Sequence, residues 1–164
     1  MSFEGSYLWR LRQKVGHDLV LMPGAAVAAQ RDDGKVLFIR RGDNGVWALP
    51  GGGAEEGGSF ARTAVDELRE ETGLVVDPED LIPAACFSQA EHHTLHYPNG
   101  DVANYFSICF LTRRWEGEPR ADGEESLEVT FGDPTDPPQP FEGSTARVLE
   151  LLLGYLRSGV FQVG

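Results

Sequence analysis

Glu67, Glu70 and Glu71 stand at i, i+3 and i+4, a spacing that stacks three carboxylates along one face of a helix. Like charges at those spacings repel by roughly a few tenths of a kcal/mol per pair. A hard divalent cation such as Mg2+ offsets that repulsion, because it takes carboxylate oxygens, keeps several waters and completes its shell with substrate phosphates. The same residues also read as a solvated acidic face, the commoner fate of a Glu-rich helix considered alone. Arg40 and Arg41 follow an apolar run; they can grip phosphates through bidentate geometry or simply end a strand in solvent. Trp47 can stack on a base or pack beneath the glycine-rich stretch that follows it. His92, His93 and His96 do not match the spacing of a closed zinc set and read as surface or substrate-proximal histidines. The glycines at 51–53 are not followed by the Lys-Ser or Lys-Thr of a phosphate-binding P-loop.

These residues need elements to position them. At about 100° per residue, Ala61, Ala64, Val65 and Leu68 fall on one face of a helix over 59–72, with the glutamates about 120° away. Ser59 is placed to cap its start and Gly73 to end it. Upstream, Leu19 to Ala29 reads as a strand with Val36 to Ile39 as its hairpin partner, since Asp33-Gly34 lies between the two runs. A polar loop from Gly42 to Gly45 leads into Val46 to Pro50, and Gly51 to Gly53 allow close backbone approach. Leu81 to Ser88, Ala103 to Thr112 and Leu127 to Phe131 read as further strands, with a turn at Tyr97-Pro98-Asn99-Gly100-Asp101. Pro134, Pro137, Pro138 and Pro140 predict an irregular segment, and Arg147 to Leu156 a closing apolar-faced helix. A short leading helix is expected at about 6–16, ended by Gly16.

The run from Gly51 to Leu74, GGGAEEGGSFARTAVDELREETGL, closely resembles the Nudix box. That motif is Gly, five residues, Glu, seven residues, Arg-Glu, an aliphatic, any residue, Glu-Glu, any residue, Gly, then an aliphatic. Gly52, Glu67, Leu68, Glu70, Glu71, Gly73 and Leu74 fall on its places, preceded by Leu49-Pro50-Gly51. Two positions depart: Gly58 stands where the family has Glu, and Asp66 where it has Arg. The resemblance implies that those two side chains orient the catalytic loop and helix; here Arg62 and Arg69 offer Asp66 a local substitute pair.

The resemblance implies an α/β/α sandwich around a mixed β-sheet, a MutT-like hydrolase that cleaves the pyrophosphate bond of a nucleoside diphosphate linked to another moiety. Mg2+, or Mn2+, would neutralise the pyrophosphate and supply a water of lowered pKa to attack phosphorus. Carried over by position, Glu67, Glu70 and Glu71 are metal ligands and catalytic residues, with the Gly51 carbonyl a further ligand. Some members use a later acidic residue as ligand or base; Glu125 is the first candidate and Glu128 the second, set against a solvated role for both. Arg40, Arg41 and Trp47 are the candidate substrate-binding residues. Sub-family marks leave the substrate open, because Ser88 to His92 carries neither the Pro of ADP-ribose hydrolases nor the Tyr of dinucleoside polyphosphate hydrolases. The departures at Gly58 and Asp66 sustain a second reading, a catalytically weakened nucleotide-binding or regulatory module.

Composition narrows the partners. With 14 basic against 26 acidic residues the formal charge is −12, which repels a polynucleotide backbone. The partner implied is a small nucleotide-type substrate, with no long nucleic acid and no membrane, since no apolar run approaches the roughly 20 residues of a span. The sequence is compatible with a monomer or a homodimer. A length of 164 residues suits one domain over 1–164. The opening residues show no basic-then-apolar signal, and Cys86 and Cys109 lie in apolar runs as free thiols, so a reducing, cytoplasmic setting is expected.

Overall fold

The computed structural model describes residues 4–97, 99–141 and 143–164; Pro98 of the expected turn lies outside them. In chain order the elements are α1 (Tyr7–Val15), β1 (Val20–Ala29), β2 (Val36–Arg41), β3 (Trp47–Ala48), β4 (Gly51–Gly53), α2 (Phe60–Thr72), β5 (Ile82–Phe87), α3 (Ala90–His93), β6 (Thr94–His96), β7 (Val102–Thr112), β8 (Ser126–Gly132), α4 (Gly143–Ser158) and β9 (Gln162–Val163). One mixed sheet runs β4-β1-β7-β5-β9, with β6 paired to β7, and a smaller antiparallel sheet runs β3-β2-β8. Its centre is β1 against β7, parallel over the register from Val20 opposite Ala103 to Ala29 opposite Thr112.

Both faces of this centre are covered. Ala25, Val27 and Ala29 of β1, with Phe110 of β7, pack against Ala64 and Leu68 of α2. Their alternates, Ala28 on β1 and Cys109 and Leu111 on β7, pack against Val148, Leu149 and Leu152 of α4. Side chains alternate across a strand, so near-continuous apolar runs such as AAVAA are what a strand between two helical layers requires. The α/β/α sandwich follows from that two-sided burial.

One expectation is overturned. β1 and β2 are not paired as a hairpin: only the bridge between Gln30 and Val36 joins them, and they enter different sheets. The turn itself forms, with Arg31 donating its amide to the Lys35 carbonyl and Gly34 donating to that of Arg31. Val36, Leu37, Phe38 and Ile39 are all buried, and β2 satisfies its backbone against β8 and β3 instead. A tight turn fixes the reversal of the chain; burial on both faces of β2 decides its partners.

Candidate active site

The site starts from the two ends of α2. Ser59 accepts the Arg62 amide through its hydroxyl at 3.2 Å, and Gly73, in the left-handed conformation, donates its amide to the Arg69 carbonyl. Between these caps, burial of Ala64 and Leu68 fixes the rotation of the helix about its axis. Glu67 and Glu71, one turn apart, are thereby aimed at the glycine strand β4. The Gly51 amide donates to Glu71 at 2.9 Å. A Cβ at Gly52 would lie 2.4 Å from a Glu67 carboxylate oxygen, so a side chain there would displace the Glu67 carboxylate from its place.

Glu125 reaches the same point from the turn before β8. One carboxylate oxygen each of Glu67, Glu71 and Glu125 lies within 4.8 Å of the others. Burial first, then the charges of Glu125, Glu70 and Asp66, push the Glu67 carboxyl up to about 7. Burial and the Glu67 charge raise Glu71 well above the ordinary range, against the opposing Gly51 amide and Arg41 guanidinium. An all-oxygen donor set under mutual repulsion fits a hard divalent cation. Glu70 lines the same cavity but is not one of this trio; the Arg69 guanidinium lies 3.3 Å from its carboxylate.

The carboxylates form one wall of a cavity of about 1020 Å³. Arg41 lines it as well, its guanidinium held by a bidentate pair to Asp43 at 2.9 and 2.6 Å. Arg40 does not reach it: it pairs with Glu128, the residue opposite it in the β2–β8 register, and so occupies the second acidic candidate too. Trp47 is 9% exposed and sits in the core beside α4, with its amide donated to the Pro140 carbonyl at 2.7 Å. It packs in that core and is absent from the cavity lining. His93 is buried on the cavity wall against the Phe87 ring, and burial, with the charges of His92 and Arg147, lowers it to about 4. His92 pairs with Glu91 at 3.2 Å, and His96 is exposed.

Further lining residues escaped the sequence reading. Met22, Tyr97, Tyr105 and Ser107 belong to the cavity, and the two tyrosine hydroxyls are 3.0 Å apart. Tyr105 and Ser107 sit two apart on β7, so period-two alternation marks them as sharing a face; nothing local says that this face lines a cavity. Asp66, the odd residue of the box, is paired with Arg62 at 2.5 Å and with Arg69 at 3.5 Å.

A family model described as NUDIX domain matches residues 20–152. The chain is 34% identical over 119 residues to the ADP-ribose pyrophosphatase of Methanocaldococcus jannaschii, covering 70% of this chain and 64% of that protein. It is 40% identical over 73 residues to the RNA pyrophosphohydrolase of Erythrobacter litoralis, covering 44% of this chain and 40% of that one. The chain thus spans less than two thirds of either relative. The crystal structure of a MutT NUDIX hydrolase from Burkholderia pseudomallei superimposes with a TM-score of 0.67 at 24% identity, over 81% of this chain and 98% of that one, which is a likeness of fold.

Proposed function

Since this chain belongs to the NUDIX family, we propose that it is a Mg2+-dependent hydrolase, also served by Mn2+, which cleaves the pyrophosphate bond of a small nucleoside diphosphate derivative. The observation that carries this reading is the convergence of Glu67, Glu71 and Glu125 on one point of a large cavity, beside the glycine strand. Glu67, Glu71 and Glu125, with Glu70 and the Gly51 carbonyl at the edge, would hold the cation. A bound divalent ion supplies charge neutralisation for the diphosphate and lowers the pKa of a coordinated water. Arg41, braced by Asp43, would orient a substrate phosphate through its guanidinium charge. The cavity's Tyr97, Tyr105 and Met22 end would take the uncharged part of the substrate.

The names of the relatives put ADP-ribose and RNA first among substrates to try. The test is release of phosphate products from a panel of nucleoside diphosphate derivatives, dinucleoside polyphosphates and 5′-triphosphorylated oligonucleotides, with and without Mg2+. Metal-dependent hydrolysis of any member is the expected outcome. Tight binding across the panel without turnover would replace this reading by a nucleotide-binding module, which the altered box positions Gly58 and Asp66 favour.

A further inference from the structure

Resting on the reading of Glu125 as the third carboxylate of the cluster, we propose that Asp122 is the positioning residue that holds Glu125 there. Glu67 and Glu71 are fixed by a capped helix, but Glu125 precedes β8 and no ladder of helix or strand fixes it. The Asp122 carboxylate does so instead. One oxygen accepts the amides of Ser126 at 2.8 Å and Glu124 at 3.1 Å; the other accepts the Glu125 amide at 3.2 Å. Gly123 closes the turn by donating to the Ser126 carbonyl at 2.9 Å.

Two ties connect this turn to the site. The fully buried Ser126 hydroxyl donates to the Glu71 carbonyl at 2.5 Å, joining the turn to the helix that carries the other carboxylates. On the opposite side the Gly42 amide donates to the Glu125 carbonyl at 2.8 Å. A Cβ at Gly42 would sit 1.8 Å from the Glu124 carbonyl oxygen, so the chain just past Arg41 can approach the turn only as glycine. Asp122 is itself exposed, and its removal opens no cavity in the core. Its effect falls on the turn that carries Glu125 and Ser126.

The test is calorimetric titration of Mn2+ into the metal-free wild type, Asp122→Ala, Asp122→Asn, Glu125→Gln and the double variant Asp122→Ala/Glu125→Gln, with a thermal melt of each. Groups that orient metal ligands are worth about 10- to 100-fold in affinity. Glu125→Gln should weaken Mn2+ binding about 10-fold or more, and Asp122→Ala by a comparable factor with the metal-free melt within a few degrees of wild type. Asp122→Asn keeps one acceptor oxygen and should fall between. The double variant should bind no more weakly than Glu125→Gln alone, because a residue acting through Glu125 has nothing left to position. Wild-type affinity in Asp122→Ala, or factors that multiply in the double variant, would overturn the inference while leaving the Glu125 reading intact. Wild-type affinity and turnover in Glu125→Gln would instead remove the reading on which it rests. Should Asp122→Ala fail to fold, Asp122→Asn carries the same cycle, and undiminished affinity in it is the overturning result.

Discussion

At the scale of single residues, the site is a compromise between folding and function: three carboxylates share a half-buried pocket that solvation and charge both disfavour. Because the Glu67 carboxyl rises from 4.5 to about 7, the folded protein holds that proton more tightly than the unfolded chain. The stability this contributes is fully present below pH 4.5 and is lost as pH climbs through 7. Glu71 adds in the same direction. Denaturant unfolding in chelator at pH 5, 6, 7 and 8 should therefore show falling stability across this range, over and above what the other groups contribute. Mg2+ or Mn2+ should restore it, most strongly at pH 8, where no proton competes. A companion prediction concerns Glu71→Gln. The amide carbonyl still accepts the Gly51 amide but carries no charge, so at pH 8 the metal-free variant should melt at or above the wild-type temperature. Its stabilisation by Mn2+ should vanish, and turnover of the best substrate should drop ~100-fold or more. Wild-type turnover in that variant would remove Glu71 from the site.

The elements carry two further tests. In α2, Asp66 is held by Arg62 and Arg69 where the family motif has an arginine facing a glutamate. Gly58 does not have the positive φ of its neighbour Gly57, so a side chain there meets no backbone strain, only the Glu55 carbonyl oxygen 3.0 Å from its Cβ. Asp66→Arg alone should not raise kcat/KM. The double change Gly58→Glu with Asp66→Arg should exceed the sum of the single changes, as groups acting through one contact do; additivity across the four-enzyme cycle would mean the sites are uncoupled. The second test concerns α1, whose C-terminal end is anchored by Arg12. Arg12 is buried, donates to the Gly16, Asp18 and Val102 carbonyls and pairs with Asp101 at 3.5 Å. At its other end the Tyr7 amide donates to both Glu55 oxygens, so this helix braces the loop after β4. Arg12→Ala should cost about 3 kcal/mol by leaving Asp101 and three carbonyls underpaired. Trypsin should then cut faster at Arg10 and Lys14, a rate read directly by mass spectrometry.

At the scale of the whole molecule, the charge of −12 acts on everything that approaches. Duplex DNA should show no appreciable binding at physiological salt, and submicromolar affinity in a fluorescence-anisotropy titration would contradict that. No helix among the described residues is long and apolar enough to cross a membrane. The small anionic ligand proposed here must be admitted against the same field, which places weight on the cation and on Arg41 to reverse the local sign. Chelation should therefore abolish ligand binding as well as turnover, measurable by calorimetry with a nucleoside diphosphate derivative.

What the sequence by itself determined was local. The i, i+3, i+4 glutamates, the Ser59 and Gly73 caps and the apolar stripe of α2 are interactions within one turn or two, so they are legible without a fold. The apolar runs Ala25 to Ala29 and Ile108 to Leu111 are legible as strands in the same way, whereas the helices that cover both of their faces became visible only in the packed molecule. The tertiary structure decided whatever depends on which distant segments meet. It sent β2 to β8 instead of to β1, and that pairing in turn set Arg40 against Glu128 and left Arg41 at the cavity. It settled Trp47 into the core beside α4, deciding between the packing and stacking roles that the sequence left open. It joined Glu125 to Glu67 and Glu71 in preference to Glu70, since the rotation of α2 is fixed by the depth of Ala64 and Leu68 in the core, and the place of Glu125 by a turn bonded to α2 from 55 residues away. Proximity of that kind is a property of packing, and spacing along the chain does not encode it.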